Sequence, residues 1–149
     1  MVSDWQLTMD CHDPAVLVPF WAAALDYEAQ PPPDGFATWN DWYRSVGVPD
    51  DELDPDGDGT DRIRDPAGRK PGIWFQVVPE AKSVKNRLHL DVQVGGGRAV
   101  PLELRRQRVL AKVDQLLELG ARIADSHADD SSHCAVVMRD PEGNEFCVV

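Results

Sequence analysis

The sequence feature that most restricts the possible folds of this 149-residue chain is a pair of near-identical pentapeptides, one in each half. Residues 64–68 (RDPAG) and 139–143 (RDPEG) agree at four of five positions. Each follows the same order of predicted elements: strand, helix, irregular stretch and strand, with another strand after the turn. A repeat of this kind indicates a duplicated module. Asp-Pro-x-Gly is also common turn chemistry, so one turn used twice by chance is the alternative. The agreement in element order favours duplication.

Hydrophobic periodicity predicts the elements of the two halves. Residues 5–11 and 88–94 alternate between apolar and polar side chains, which is typical of half-buried strands. Asp13 and Pro14 have the residue types that begin a helix, although Pro19 lies inside the helix that would follow. Thr38 could cap a short second helix. The pattern predicts helices over residues 14–26, 39–46 and 101–119, and further strands over 60–65, 73–78, 134–138 and 146–149, with another beginning at Arg122.

The charge of the chain excludes several classes of partner. Fifteen basic against 26 acidic residues give a formal net charge of −11. Phosphate backbones and anionic lipid surfaces need clustered lysine and arginine, so we expect neither nucleic acid nor a membrane as a partner. Residues 50–61 hold seven acids and no base, and this composition predicts an exposed loop. Asp54, Asp56 and Asp58 imitate the start of a calcium loop, but the residues that follow depart from that pattern.

Cysteine usage and the N-terminal segment indicate the compartment. The three cysteines are an odd number, widely spaced and without a CxxC pattern, so reduced thiols are expected. Residues 1–5 carry neither a basic region nor an apolar run, which argues against a signal peptide. No stretch approaches the roughly 18 apolar residues of a membrane helix. We therefore expect a cytoplasmic protein.

Several segments together resemble the vicinal oxygen chelate superfamily, which contains glyoxalase I, extradiol dioxygenases and bleomycin-resistance proteins. They are Asp13-Pro14 with Phe20-Trp21, residues 88–91 (LHLD) and the terminal residues 140–146 (DPEGNEF). Residues 74–80 and 85–91 are similar to segments of the glyoxalase-like domain proteins within it. The resemblance covers nearly the whole chain; the long segment 36–62 departs from it.

The resemblance implies an α+β fold of two βαβββ modules, forming a curled mixed sheet around one cavity with the helices outside. It implies a single domain over residues 1–149, with module one at about 4–80, module two at about 86–149 and an acidic insertion at about 48–62. Family members often pair, so a homodimer is expected.

The resemblance also locates candidate metal ligands. Family enzymes take one ligand from the first and one from the last strand of each module. These positions fall on Gln6, Gln76, His89 and Cys147. Two amides, one imidazole and one thiol, with no carboxylate, suit neither a hard nor a soft ion well. A divalent metal is therefore possible but not favoured. The catalytic residues are unknown, and His89 is the best candidate.

Strand faces give a second argument for a site. Alternation places Gln6, Thr8 and Asp10 on one face, and it places His89 with Asp91 on another. A polar concave face with aromatic walls suits a small organic ligand, whereas a face that meets solvent is the alternative. The candidate ligand-binding residues are Gln6, Thr8, Asp10, Trp74, Gln76, His89, Asp91 and Cys147.

Three functions follow from these candidates. The leading hypothesis is a glyoxalase-like protein that binds a small organic molecule in its cavity without a catalytic metal. The first alternative is a metal-dependent lyase, isomerase or dioxygenase that uses the four-residue set. The second is a non-catalytic interaction module whose cavity is filled by side chains.

Overall fold

The computed structural model describes residues 3–127 and 133–149. Residues 1 and 2, which belong to the segment considered for a signal peptide (residues 1–5), lie outside the described residues. The chain divides into two compact units, an N-terminal unit (Met1–Pro79) and a C-terminal unit (Glu80–Val149). Each unit has the element order βαβββ, so the predicted α+β fold with two such modules is confirmed.

The N-terminal unit contains a four-stranded mixed sheet with the order β1-β4-β3-β2. The first and last strands pair in parallel, and the other pairs are antiparallel. A short second helix and one 3₁₀ turn lie between β2 and β3. The bounds are β1 Leu7–Cys11, α1 Pro14–Leu25, β2 Glu28–Ala29, α2 Trp39–Ser45, the 3₁₀ turn Asp50–Glu52, β3 Arg62–Arg64 and β4 Ile73–Val77.

Helix α1 forms as predicted and supplies much of this unit's core. Asp13 caps it by accepting a hydrogen bond from the Ala15 N–H at 2.9 Å. The helix continues through Pro19, whose side chain is exposed. Phe20 and Trp21 are buried with their rings edge to face at 5.5 Å. The buried side chains Ile73 and Phe75 alternate along β4, and α1 contacts that strand.

The C-terminal unit repeats this arrangement with the sheet order β5-β8-β7-β6, in which β5 and β8 are parallel. Its long helix buries Val109, Val113 and Leu116. None of the helices among the described residues combines the length and apolarity that crossing a lipid bilayer requires. The bounds are β5 Asp91–Val92, α3 Leu102–Glu118, β6 Arg122–Ser126, β7 Val136–Arg139 and β8 Glu145–Val148.

The strand predicted over residues 88–94 is shorter in the structure. Only Asp91–Val92 is a strand, and Leu88, which the alternation placed on a buried face, is 82% exposed. This strand lies at the edge of the sheet, where β8 is its single neighbour. Backbone bonds to the C-terminal strand extend a little further, from the Cys147 N–H to Leu90 O and from the Val94 N–H to Val149 O.

The repeated pentapeptides form the turns between β3 and β4 and between β7 and β8, two antiparallel pairs. Asp65 accepts hydrogen bonds from three backbone N–H groups after it, those of residues 67, 69 and 70. Asp140 likewise accepts from the N–H groups of residues 142 and 144. Gly68 and Gly143 have φ angles of 64° and 94°, in the left-handed region that glycine adopts without strain. The same local chemistry therefore builds both turns.

The acidic segment, residues 50–61, is more ordered than its composition predicted. Leu53 is buried at 8% exposure, and the segment is tied to α2 by Asn40. The Asn40 side-chain amide donates to Asp54 O at 2.9 Å and to Gly57 O at 3.1 Å. The Asn40 backbone N–H donates to Asp58 O at 2.8 Å. Eight of the twelve residues are exposed, as an exposed loop predicts, but one buried asparagine also satisfies three of the segment's backbone carbonyls, which composition did not predict.

Glu145, the first residue of β8, holds the segment before β5. Its carboxylate accepts a hydrogen bond from the Asn86 N–H at 3.1 Å and lies 3.2 Å from the Lys82 ammonium. The Asn86 N–H is the largest cause that lowers the pKa of Glu145, and Lys82 adds to it. Together these two effects outweigh burial, which raises the pKa, so the pKa of Glu145 falls from 4.5 to about 2.

We expect Glu145→Gln to lower the free energy of unfolding at neutral pH by about 1–3 kcal/mol, because it removes a charged hydrogen-bond acceptor. The folded-state pKa is depressed, so the carboxylate stabilises the fold above pH 4.5 and loses that effect as pH falls toward about 2. The difference between wild type and variant should therefore shrink at low pH.

Urea unfolding at neutral pH and near pH 3 measures this difference. Glu80→Gln, the same change at an exposed position of the same unit, is the matched control and should have little effect. A difference between Glu145→Gln and wild type that stays constant with pH would contradict the assignment.

Candidate functional site

Four of the predicted ligand-binding residues share one face of the N-terminal sheet. The parallel register places Thr8 opposite Trp74 and Asp10 opposite Gln76. Directly opposed residues point to the same side of a sheet, so these side chains form one polar face with an aromatic group. Thr8 and Asp10 are exposed, and Trp74 and Gln76 are half-buried.

Gln6 lies just before β1 and is exposed. Because the Leu7 N–H bonds to Gly72 O, Gln6 is next to the beginning of β4, whereas Gln76 is near its end. Four residues of ladder separate the two amides, roughly 13 Å of strand. The structure therefore does not bring Gln6 and Gln76 together.

Trp74 is held by a network that sequence reasoning missed. Its indole N–H donates to Asp61 Oδ2 at 2.8 Å, and the Tyr43 hydroxyl donates to the same oxygen at 2.6 Å. The Arg62 guanidinium lies 4.6 Å from the ring centre of Trp39 and 5.4 Å from that of Trp74. Burial, followed by the hydrogen bond to Asp61, raises the pKa of Tyr43 to about 12.

A signal for this network was present in the sequence. Trp39, Trp42 and Tyr43 lie within one short predicted helix, next to the most acidic segment of the chain. Aromatic N–H and O–H groups that are partly buried need acceptors, and a nearby carboxylate can provide one. Composition alone had assigned the whole acidic segment to solvent.

In the C-terminal unit, His89, Asp91 and Cys147 form a compact group that we call the β5 cluster. His89 Nε2 lies 3.5 Å from Asp91 Oδ1, and the register places Asp91 opposite Cys147. One potential ligand atom of each residue lies within 4.8 Å of the others. The side chains of His89 and Asp91 are about half exposed, at 47% and 51%, so a molecule from solvent can reach them.

The Cys147 thiol is a weak nucleophile in this setting. Burial raises its pKa, and the charge of Asp91 together with a hydrogen bond to it raises the pKa further, whereas Lys85 lowers it. A raised thiol pKa leaves little thiolate at neutral pH. The cysteine therefore acts first as a neutral thiol.

The β5 cluster also meets the basic requirements of a cation site. It offers an imidazole nitrogen, a thiol sulfur and a carboxylate oxygen, a donor set that zinc accepts. Sequence reasoning had included His89 and Cys147 among the metal candidates but had assigned Asp91 only to ligand binding. The carboxylate missing from the four-residue set is supplied by Asp91, two positions after His89 in the sequence. An ion bound here would have to displace the proton of Cys147.

Comparisons with known proteins agree with this fold. The family model of a glyoxalase-like domain matches residues 6–149. No curated protein matches the chain in sequence. A hypothetical protein, SA1046 from S. aureus, has a solved structure with a TM-score of 0.61 and 10% identity, covering 99% of this chain and 93% of that one.

Two other solved structures are similar over nearly their full length. A fosfomycin resistance protein from Mesorhizobium loti has a TM-score of 0.58 and 8% identity, covering 99% of this chain and 91% of that one. A glyoxalase/bleomycin resistance protein/dioxygenase family enzyme from Burkholderia phytofirmans PsJN has a TM-score of 0.55 and 15% identity, covering 96% and 94%. At these identities the likeness shows the fold alone.

We expect Asp91→Asn to speed alkylation of Cys147 by iodoacetamide several-fold at mildly alkaline pH. Removing the negative charge lowers the thiol pKa and enlarges the thiolate fraction. The rate should remain below that of a fully exposed cysteine, because burial is the larger cause of the raised pKa.

Peptide mapping by mass spectrometry separates Cys147 from the buried Cys11 and Cys134. Asp114→Asn, at an exposed position of α3, is the control for a general change in charge. An alkylation rate that is unchanged or slower in Asp91→Asn would show that Asp91 does not raise the thiol pKa.

Proposed function

Because the chain belongs to the glyoxalase-like domain family of the vicinal oxygen chelate superfamily, we propose that it binds a small organic molecule at the β5 cluster. The observation that supports this most directly is the convergence of three different polar groups within 4.8 Å at a solvent-accessible strand edge. Small-molecule sites commonly combine a few convergent polar groups with apolar surroundings.

The three side chains provide complementary chemistry without a metal. His89 can donate or accept a hydrogen bond, Asp91 accepts, and the protonated Cys147 is a weak donor. This set suits a ligand that carries a hydroxyl or amide group. His89 would be the general base if a reaction follows binding. The face with Gln6, Thr8, Asp10, Trp74 and Gln76 is proposed as a second, separate set of ligand contacts within the N-terminal unit alone.

The names of two proteins with similar structures suggest where to look for the ligand. One is a fosfomycin resistance protein, and another is assigned to a family that includes bleomycin resistance proteins. We therefore include antibiotics among the candidate ligands, bound either for sequestration or for metal-free catalysis. The proposal also includes a cytoplasmic location and a homodimer; the odd number and wide spacing of the three cysteines support the reducing compartment.

A second candidate function is metal-assisted chemistry, which the composition of the β5 cluster favours. His89, Asp91 and Cys147 would hold a divalent ion. Such an ion supplies Lewis-acid stabilisation of an oxygen that develops negative charge. The chain's own contribution would be to orient the substrate and to move a proton at the imidazole.

For the leading function, we expect a thermal-shift screen of metabolites and antibiotics, including fosfomycin, to give ligands that raise the melting temperature of wild type but not of His89→Ala. A ligand that binds only the folded state raises the free energy of unfolding by RT ln(1 + L/Kd), where L is the free ligand concentration. His127→Ala is a closely matched control, because His127 Nε2 lies 3.4 Å from Asp125 Oδ2 in a similar exposed pair.

Repeating the screen with Gln6→Ala and Trp74→Phe tests the second set of contacts, and repeating it at several protein concentrations tests the dimer. Ligands that stabilise wild type and His89→Ala equally would exclude the β5 cluster as their site. A screen without any ligand would favour the interaction-module alternative.

For the metal-assisted function, we expect about one equivalent of zinc, nickel, manganese or iron per chain after reconstitution and desalting. His89→Ala and Cys147→Ser should lose that ion, and His127→Ala should keep it. Elemental analysis by mass spectrometry gives the stoichiometry. Less than one equivalent in wild type for all four metals would end this candidate without affecting the first.

A further inference from the structure

A cleft formed within the C-terminal unit alone lies where the two parallel strands of that unit end. It encloses about 400 Å³ beside the ends of β5 and β8 and the first turns of α3. Its lining includes two arginines, a run of three glycines and the exposed His133, and no acidic side chain of the described residues contributes to it. We call this site the glycine-arginine cleft and define it by residues 95–98, Arg105 and Val149.

Backbone hydrogen bonds fix the floor of this cleft. The Val149 N–H donates to Val92 O at 3.0 Å, and Val149 O accepts from the N–H groups of Val94 and Gly95 at 2.8 and 3.0 Å. These bonds continue the ladder between β5 and β8 into the glycine run. In open sheets with parallel strands, ligands commonly bind just beyond the carboxyl ends of the strands. The cleft occupies that position.

Two arginines of α3 are held against the glycine run. Arg105 Nε donates to Val100 O at 3.1 Å, and Arg108 Nη1 donates to Gly95 O at 3.1 Å. A Cβ atom at Gly96 would lie 2.6 Å from Arg108 Nη1, and the φ angle of Gly96 is 88°. Glycine at this position therefore lets the guanidinium approach the backbone closely and lets the loop turn without strain.

The cleft has hydrogen-bond donors that the fold itself does not use. The N–H groups of Gly96 and Gly97 donate no hydrogen bond within the described part of the chain, and neither does the exposed guanidinium of Arg98. Arg105 is half-buried, and its two terminal nitrogens likewise donate to none of the described residues. Two fixed backbone N–H groups and two guanidinium groups are thus available to a ligand that accepts hydrogen bonds.

The charge of this region is opposite to that of the whole chain. Residues 93–108 contain four arginines and one acidic residue, although the net charge of the chain is −11. That acid, Glu103, lies 3.2 Å from Arg106 and does not line the cleft. Even with a main-chain carboxyl group at Val149, one oxygen of which is already bonded, two guanidinium groups leave the cleft positive. A concave positive surface concentrates anions.

We propose that the glycine-arginine cleft binds the phosphate group of a small phosphorylated molecule. A phosphate monoester carries a charge of about −1.5 to −2 at neutral pH and three strong acceptor oxygens, which matches two guanidinium groups and two adjacent N–H groups. The planar fork of arginine can bind phosphate through two parallel hydrogen bonds. No residue of the β5 cluster lines the cleft, so this function is additional to the proposed one.

The experiment uses the full chain with phenyl phosphate as the probe and with benzoate and benzyl alcohol as its singly charged and neutral counterparts. Two-dimensional amide NMR at physiological salt should show saturable shifts of the Gly96 and Gly97 signals, with a dissociation constant of about 1 mM or less for phenyl phosphate. Benzoate should bind at least several-fold more weakly, and benzyl alcohol should give no saturable shifts at these glycines.

Inorganic phosphate distinguishes the two sources of the group. Weaker binding of inorganic phosphate than of phenyl phosphate at the same glycines identifies an ester as the occupant, whereas equal binding identifies free phosphate; both results support a phosphate site. No saturation with either compound would overturn the proposal.

Arg98→Gln with Arg105→Gln should weaken phenyl phosphate binding about tenfold or more, because two charges at the site are lost. Arg98→Gln alone changes an exposed side chain and should weaken binding several-fold, which keeps the test valid if the double variant does not fold.

Arg87→Gln with Arg122→Gln is the matched control, because it removes the same charge from exposed positions of the same unit outside the lining. It should change the affinity less than about twofold at physiological salt. Amide spectra that match wild type away from the cleft confirm that the variants fold. Equal weakening by the two double variants, benzoate binding as tight as that of phenyl phosphate, or saturable shifts that leave Gly96 and Gly97 unchanged would each contradict the assignment.

Discussion

In each unit, parallel pairing of the first strand with the last decides which side chains can act together. The pairing places Thr8 against Trp74 in one unit and Asp91 against Cys147 in the other. His89 lies before the strand and joins this group through the 3.5 Å contact of its Nε2 with Asp91 Oδ1. The two registers place five of the candidate residues, Thr8, Asp10, Trp74, Gln76 and Asp91, and they set Asp91 against Cys147. A slip of one residue would turn all of these groups to the opposite side of the sheet.

Buried polar anchors are the second constraint, because they convert a highly acidic segment into part of a folded unit. Asn40 and Asp61 each satisfy several partners, and together they fix the segment against α2 and β4. A consequence is that the Trp74 indole N–H is already bound to Asp61. A ligand at that face would contact the ring of Trp74 and would need other donors.

The fold was predictable from the sequence, and the site was predictable only in part. Periodicity and the repeated turn locate α1, α3 and most strands, because these signals are local. Strand register is not local, so the separation of Gln6 from Gln76 and the proximity of Asp91 to Cys147 could not be read from spacing. The order in the acidic segment depends on Asn40, whose role requires a tertiary contact that composition cannot reveal.

The two candidate functions of the β5 cluster differ in whether the Cys147 thiol keeps its proton. Burial and the adjacent Asp91 raise the pKa of Cys147, so the neutral thiol is the resting form near neutral pH. A neutral thiol beside a carboxylate favours hydrogen bonding to an organic ligand, whereas metal binding requires the thiolate. The carboxylate that discourages ionisation of the thiol would itself help to balance a bound cation. Asp91 therefore destabilises the Cys147 thiolate when no metal is bound. With a cation in the cluster, the same carboxylate would help to hold the ion that stabilises the thiolate.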